Sequence, residues 1–238
     1  MLLLHGLGAD GTSWTLQLPA LSEAGFRPIA PDTSGFGLSP YDGRGWTIRR
    51  VAAQMAALVE ELGTGPVHVV GLSMGGTIAQ QLALDFPRQV RKLVLASTFS
   101  FLRPDNLSGW MYFLQRFIVV NTLGLPAQAK VVARRIFPDP GNAALREMLV
   151  KVISQADPRA YRRAMFSLGT FDSRKQLAKI AVPTLVVTGA NDTTVSPARQ
   201  KVLVDRIPGA RQEMIPSAGH AVSIDQVDRF NQAMLAFF

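Results

Sequence analysis

Short apolar runs alternate with longer segments of helical periodicity along most of this chain. The short runs are rich in leucine, isoleucine and valine without strict alternation, which is typical of strands buried on both faces. The predicted strands are Leu2–Leu4, Phe26–Ala30, Val67–Val70, Lys92–Ala96, Thr184–Thr188 and Ala210–Ile215. Strands that alternate with helices predict an α/β protein with a mostly parallel sheet of about six strands and helices on both faces.

Helices are predicted where apolar residues recur three and four positions apart. Two of them, Trp46–Leu62 and Thr77–Asp85, lie between predicted strands. Pro87 closes the second, because the residue before a proline is pushed towards extended conformations. A last helix near Asp225–Phe238 carries apolar residues at helical spacing, which we interpret as core.

Residues 100–176 interrupt this alternation, because helical patterns follow one another there without a clear strand. The predicted helices are Leu107–Val120, Pro126–Ile136, Ala143–Ala156 and Pro158–Leu168. We therefore expect a helical lid, residues 100–176, inserted into a core made of residues 1–99 and 177–238. Such a lid would exclude water and shape a pocket over a catalytic face.

Composition limits the class of protein. The 238 residues are 47% hydrophobic and 18% charged, which is typical of a globular protein with a sizeable core. No apolar stretch approaches the ~18–20 residues of a membrane span, and the start lacks the basic flank of a signal peptide, so we expect a cytoplasmic protein. With no cysteine and three histidines, no metal site and no cofactor are expected.

The net charge of +8 is concentrated in the predicted lid. Residues 100–175 hold 12 of the 25 basic residues and 5 of the 17 acidic ones. We favour a solvated basic helical surface, and the alternative is steering of anionic substrates towards a site beneath the lid. Nucleic-acid binding is disfavoured, because the basic residues are not interleaved with aromatic ones in a binding motif.

The pentapeptide Gly71-Leu72-Ser73-Met74-Gly75 carries the clearest chemistry. It stands between a predicted strand and a predicted helix. A serine at such a sharp turn has its hydroxyl lifted out of the sheet, and the two glycines let strand and helix approach closely. Ser73 is therefore the predicted nucleophile.

A serine hydroxyl needs a neighbouring base, and the chain offers only three histidines. His68 lies inside the strand that leads to Ser73 and is interpreted as structural, whereas His5 ends the first strand and belongs to a glycine-rich turn with another role. His220 follows the last predicted strand, where loops of a parallel sheet line the site, and is the predicted base. Asp192, which also follows a strand, is the predicted acid that orients it.

An oxyanion needs two backbone N–H donors aimed at one point. Met74, directly after the nucleophile, should supply one of them. Leu7 should supply the other, because it lies in the glycine-rich turn His5-Gly6-Leu7-Gly8 that follows the first strand.

These motifs resemble those of the α/β-hydrolase superfamily over nearly the whole chain, and the order Ser73, Asp192, His220 is the one found there. The closest resemblance is to lidded carboxylesterases, 3-oxoadipate enol-lactonases and meta-cleavage-product hydrolases. The matching segments are His5–Gly8, Pro31–Ser39, Gly71–Gly75, Val182–Gly189 with Asp192, and Ala218–His220. A serine at position 73 separates the chain from haloalkane dehalogenases, whose nucleophile is an aspartate.

The family usually has two strands before the oxyanion strand, and the chain lacks them. The resemblance therefore makes Phe26–Ala30 an exposed edge of the sheet. Pro28 suits an edge, because proline has no N–H to donate. We expect this edge to be blunted by Pro28 or covered by a partner, such as a second copy in a homodimer.

The resemblance implies a serine hydrolase that cleaves carboxylic esters of short to medium acyl chains. The alternatives are an enol-lactonase or C–C hydrolase acting on an anionic ring-cleavage product, and a non-catalytic ligand-binding protein of the same fold. The predicted pocket residues are Trp14, Trp110, Met111 and Phe166. The expected partner is a small-molecule ester, with no nucleic acid and no membrane span.

Overall fold

A parallel sheet forms the centre of the computed structural model, which describes residues 1–102 and 107–238. Five strands, named β1 to β5, lie side by side in chain order, and each neighbouring pair is parallel. They are Leu2–Leu4, Val67–Leu72, Val90–Ala96, Thr184–Gly189 and Arg211–Ile215. The predicted α/β class with a parallel sheet is confirmed.

The register brings the carboxyl ends of the central strands to one edge. Leu72 at the end of β2 pairs with Ala96 at the end of β3, and Ala96 pairs in turn with Val187 of β4. The loops that follow these strands, including the turn at Ser73, therefore meet above the same edge. Ligands of open parallel sheets bind at this edge.

Helices cover both faces of the sheet, as predicted. Those outside the predicted lid are α1 (Leu18–Glu23), α2 (Ile48–Glu61), α3 (Met74–Asp85), α8 (Pro197–Arg206), α9 (Val222–Asp225) and α10 (Val227–Phe237). One core cluster lies between the sheet and α2 and α3, where Met55 and Ile78 are buried. The other lies between the sheet and α10, around Phe230 and Met234. Strands β1 to β4 are thus buried on both faces over most of their length, which explains their apolar sequences without alternation, whereas β5 at the edge is largely exposed.

The segment between β3 and β4 is helical in its described part. Four helices occupy it: α4 (Leu107–Thr122), α5 (Gly124–Ile136), α6 (Ala143–Gln155) and α7 (Pro158–Thr170). Their ends lie within about two residues of the predicted ends. Residues 103–106 of the predicted lid lie outside the described residues, and the division into core and lid stays a prediction.

The segment Phe26–Ala30 differs from its prediction as a strand. It makes a single bridge, in which the N–H of Ile29 donates to Met1 O and the N–H of Leu3 donates to Ile29 O. Pro28 explains the shortness, because it has no N–H for a ladder. The segment lies on the outer side of β1, and its pairing with a second copy stays a prediction.

Within residues 1–102 and 107–238, no helix combines the length and the apolarity that a membrane span requires. The cytoplasmic location stays a prediction.

Candidate active site

Ser73 occupies a sharp turn between β2 and α3. Its backbone φ is +53°, a value that residues other than glycine rarely adopt. A Cβ at Gly71 would lie 2.4 Å from Gly75 O, and a Cβ at Gly75 would lie 2.0 Å from Leu4 O. Both glycines are required because strand, turn and helix approach more closely than any side chain allows.

Neighbouring backbone holds this turn in place. The N–H of Ser73 donates to Ala96 O at 2.9 Å, and Ser73 O accepts from the hydroxyl of Thr98 at 2.6 Å. A Cβ at Gly76 would clash with Thr98 at 2.5 Å, so the first turn of α3 packs directly on the end of β3. An unfavourable φ persists where surrounding contacts fix it in this way.

Ser73, His220 and Asp192 lie in hydrogen-bonding contact. His220 Nε2 is 3.0 Å from Ser73 Oγ, and His220 Nδ1 is 2.9 Å from Asp192 Oδ2. Because a carboxylate faces Nδ1, we assign the proton to Nδ1, which leaves Nε2 as the acceptor towards the serine. The arrangement can therefore remove the proton of the Ser73 hydroxyl.

The carboxylate of Asp192 is buried and fully hydrogen-bonded. Oδ1 accepts from the backbone N–H groups of Thr194 and Val195, both at 2.8 Å. Oδ2 accepts from Gln200 Nε2 at 3.1 Å as well as from His220. These donors fix the orientation of the carboxylate, and Gln200 is a contributor that the sequence analysis missed.

The loops that carry Asp192 and His220 are tied together. The N–H of Asn191 donates to Ala218 O at 2.8 Å. A Cβ at Gly189 would lie 2.2 Å from Gly219 O, so only glycine allows this approach. The close contact brings the acid within reach of the imidazole.

Asp225 is a second carboxylate near the imidazole that the sequence analysis missed. Its Oδ2 accepts from the N–H of Gly219 at 2.7 Å, directly before His220. Burial raises the pKa of Asp225 above its usual value, and the Gly219 N–H opposes that rise. Asp225 therefore supports the histidine loop without contacting the ring nitrogens in a hydrogen bond.

The predicted oxyanion donors belong to two segments next to Ser73: Met74 follows it in the chain, and Leu7 lies in the turn after β1. A Cβ at Gly6 would lie 3.7 Å from Ser73 Cβ, which places the turn after β1 against the nucleophile. Neither the N–H of Leu7 nor that of Met74 donates to an acceptor in residues 1–102 or 107–238. Two N–H groups are thus available near the serine, as an oxyanion requires.

His5 fastens the turn that carries Leu7. Its Nδ1–H donates to Gly6 O at 2.9 Å, and its Nε2 accepts from the N–H of Thr33 at 3.0 Å. Burial lowers the pKa of His5, so the ring is neutral, in agreement with this tautomer. His5 thus holds this turn in place.

His68 lies away from Ser73 and packs against Phe26 and Phe238, with ring centroids 5.7 and 4.7 Å away. Burial lowers its pKa to about 4, and the charges of Arg91 and Lys92 add to the effect. His68 is therefore a neutral packing residue at ordinary pH.

A cavity of about 780 Å³ opens beside the catalytic candidates. Ser73 and His220 line it, together with Gly6 and Leu7 of the oxyanion turn. Helices α4 to α7 supply much of its remaining wall. The residues that they contribute include Gly109, Tyr112, Phe113, Arg116, Val132, Arg135, Ile136, Leu145, Met148, Leu149, Val152 and Leu168.

The four predicted pocket residues lie elsewhere. Trp14 is fully buried in the core, where its ring packs against Phe230. Trp110, Met111 and Phe166 are 52%, 63% and 69% exposed and are absent from the described cavity wall. Trp110 and Met111 belong to a more apolar, exposed face of α4, whereas the neighbouring face with Tyr112 and Arg116 lines the cavity.

Comparisons with known proteins agree with this fold. A family model described as alpha/beta hydrolase fold matches residues 1–227. A protein of Variovorax paradoxus named "Putative carbamate hydrolase" is 33% identical over 246 residues, which cover 100% of this chain and 90% of that protein.

Two solved structures are similar. A thermophilic esterase from Thermogutta terrifontis, solved with malate bound, has a TM-score of 0.85 and 30% identity, covering 98% of this chain and 86% of that one. An enol-lactonase from Burkholderia xenovorans has a TM-score of 0.89 and 27% identity, covering 99% and 89%.

Proposed function

Because the chain belongs to the α/β-hydrolase fold family, we propose that it is a serine hydrolase that cleaves carboxylic esters through an acyl-enzyme on Ser73. The observation that carries this proposal is the unbroken contact from Ser73 Oγ through His220 to Asp192. Membership of this family supports hydrolysis as the type of reaction. The contact of Ser73 with His220 supports Ser73 as an activated nucleophile.

In the first step, Ser73 Oγ attacks the carbonyl carbon of the ester while its proton passes to His220 Nε2. The N–H groups of Leu7 and Met74 donate to the oxyanion that forms. The C–O bond of the ester then breaks, and His220 gives its proton to the leaving alkoxide, which departs as an alcohol. The acyl group remains bound to Ser73.

In the second step, water attacks the acyl-enzyme and gives its proton to His220. The bond between the acyl carbon and Ser73 Oγ breaks, and His220 returns the proton to the serine. Asp192 holds the imidazole in the required tautomer and stabilises the imidazolium that forms in both steps.

The cavity supports acyl groups of short to medium length. Its volume of about 780 Å³ falls in the range of small-molecule sites, and its lid walls are largely apolar. The similar esterase from Thermogutta terrifontis supports ester cleavage as the reaction class.

An enol-lactone is a second candidate substrate, supported by the similar enol-lactonase. A lactone is a cyclic ester, so the same serine chemistry opens it, with the leaving oxygen still attached to the acyl group. Hydrolysis of an enol-lactone would give one product, whereas an open ester gives an acid and an alcohol. Product analysis by mass spectrometry therefore distinguishes the two.

The test is hydrolysis of 4-nitrophenyl butyrate by the wild type and by Ser73→Ala. We expect the substitution to lower kcat by at least about 10⁴-fold, because it removes the nucleophile. Ser154→Ala is a matched control, since Ser154 lies in α6 and its hydroxyl donates to Val150 O. Turnover by Ser73→Ala above a few per cent of wild type would remove Ser73 from the role.

A further inference from the structure

Arg116 places a positive charge in the wall of the cavity that holds Ser73 and His220. It lies on α4, on the helical face that also presents Gly109 and Tyr112 to the cavity. The groups around this guanidinium show whether its charge is balanced within the protein or is available to a ligand.

Neutral groups are the partners of Arg116. Nη2 donates to the hydroxyl of Tyr161 at 3.1 Å. The amide oxygen of buried Gln128, in the orientation that satisfies both groups, accepts from Arg116 Nε at 2.7 Å and from Nη2 at 3.2 Å. Nη1 keeps both of its hydrogens without an acceptor among the described residues.

No carboxylate among residues 1–102 and 107–238 pairs with the guanidinium of Arg116, because none of them lies within 4.0 Å of it. Burial raises the pKa of Tyr112, whose ring centre is 5.8 Å from the guanidinium, so this phenol stays neutral. An unpaired cation in a partly buried site is costly, and an anionic ligand would relieve that cost.

The other charged groups among the described lining residues do not supply an anion for Arg116. Asp10, the acidic residue among the described lining residues, accepts from the N–H and the hydroxyl of Thr12 in the neighbouring turn. Arg135 and Arg199 add two further cations to the wall, and Arg135 Nη2 donates to Thr193 O. The lid wall is therefore positive where Tyr112 and Arg116 meet.

Tyr161 connects Arg116 to the reacting centre. A Cβ at Gly8 would lie 3.0 Å from Tyr161 Cε2, so the phenol ring packs on the oxyanion turn. Two residues earlier, Gly6 lies against Ser73. A single side chain, that of Tyr161, therefore separates the guanidinium from the turn that contacts Ser73, and Arg116 itself lines the cavity.

We propose that Arg116 binds a carboxylate of the substrate while the scissile ester or lactone lies at Ser73. The substrate class is then the half-esters or lactones of dicarboxylic acids. This inference rests on the proposed function. Guanidinium groups favour carboxylates, because planar N–H donors match carboxylate oxygens and the bonds are strengthened by charge.

The test compares two esters of similar length, mono-4-nitrophenyl glutarate and 4-nitrophenyl pentanoate. We expect Arg116→Gln to lower kcat/KM for the glutarate ester by about 30- to 100-fold, mainly through KM, as when one partner of a buried charged pair is removed. The pentanoate ester should change by less than about threefold, because it has no carboxylate. Arg134→Gln is the matched control: Arg134 lies in α5, is exposed and does not line the cavity.

Two outcomes overturn the inference. Equal losses for both esters would assign Arg116 to packing, and no loss for the glutarate ester would show that it binds no carboxylate. If Arg116→Gln does not fold, competition against the pentanoate ester in the wild type replaces it. Glutarate must then inhibit at least tenfold more strongly than neutral glutaramide, and equal inhibition overturns the inference.

Calorimetry separates this inference from the proposed function. Glutarate should bind Ser73→Ala and should bind the double variant Ser73→Ala/Arg116→Gln at least tenfold more weakly. If the wild type cleaves neither ester but this difference is found, the proposed function fails and the carboxylate site stands. If both esters are cleaved equally well and glutarate does not bind, the carboxylate site alone fails.

Discussion

Replacing Asp192 by asparagine tests how the buried carboxylate controls the imidazole. In the structure, Oδ1 accepts from Thr194 and Val195, and Oδ2 faces His220 Nδ1. An asparagine must keep its oxygen towards the two backbone N–H groups, because the opposite orientation would set donors against donors. Its NH₂ group therefore takes the place of Oδ2 and donates to His220.

The consequence is a change of tautomer. When Nδ1 accepts from the amide, the ring proton moves to Nε2, which lies 3.0 Å from Ser73 Oγ. The imidazole then has no lone pair for the serine proton. A loss of about 10⁴ in kcat is expected from the wrong tautomer, which corresponds to about 5.5 kcal/mol of transition-state stabilisation.

Stability should change much less than activity. The Asp192→Asn variant would keep the two hydrogen bonds from the backbone N–H groups and lose the one from Gln200 Nε2. The expected cost is about 1–2 kcal/mol in the free energy of unfolding. A folded protein without turnover is thus the predicted phenotype, and urea unfolding monitored by circular dichroism separates it from misfolding.

The assay is steady-state hydrolysis of 4-nitrophenyl butyrate, with Asp225→Asn as the matched control. Asp225 also lies near His220 but accepts from the N–H of Gly219 rather than from the ring. Its substitution should lower kcat by less than about tenfold, because an amide oxygen still accepts that bond. The reasoning fails if Asp192→Asn stays within tenfold of wild type, or if the two variants lose the same activity.

Two further predictions concern stability. Gly75→Ala should lower the free energy of unfolding in urea by more than about 3 kcal/mol, because its Cβ would lie 2.0 Å from Leu4 O. Gly209→Ala, which has open space around its Cβ, should lower it by about 1 kcal/mol. Equal losses of stability in the two variants would contradict the packing argument. The folded pKa of His68, about 4, lies below its unfolded value of 6.5, so the unfolded chain binds more protons and stability is lost as pH falls from about 6.5 to 4. Allowing for its partial exposure, about 1–2 kcal/mol of this loss should be absent in His68→Phe, and identical pH profiles of unfolding would contradict it.

The catalytic candidates could be predicted because the geometry of the turn restricts the position of the nucleophile, and the small number of histidines restricts the choice of base. Gly71 and Gly75 mark a turn that no other residue permits, and a chain with three histidines leaves few choices of base. Chain order then relates Asp192 to His220. Gln200 and Asp225 were missed, because a glutamine on a helix and an aspartate near a helix end carry no signal that depends on a distant partner.

The cavity could not be predicted from the same kind of pattern. Helix α4 has two adjacent faces, and hydrophobicity favours the one with Trp110 and Met111, which is exposed. The face that lines the cavity includes the charged residue Arg116. Which face is turned inward depends on contacts with Gln128 and Tyr161, which are distant in sequence.

The strand prediction at Phe26–Ala30 failed for a related reason. Its apolar residues fit a strand, but a strand also needs a ladder of N–H donors, and Pro28 interrupts it. The remaining contact is the bridge at Ile29. The apolar pattern of a segment predicts its burial well. At the edge of a sheet, it predicts less well whether the segment has the backbone N–H donors that a strand needs.

The most direct test of the account is labelling with a fluorophosphonate, followed by intact-mass and peptide mass spectrometry. The account predicts one label per chain on Ser73 in the wild type, no label in Ser73→Ala, and labelling of His220→Ala slowed by at least about 10³-fold. Labelling of another residue, or labelling of the native protein no faster than that of the urea-unfolded chain, would contradict the claim that Ser73 is an activated nucleophile.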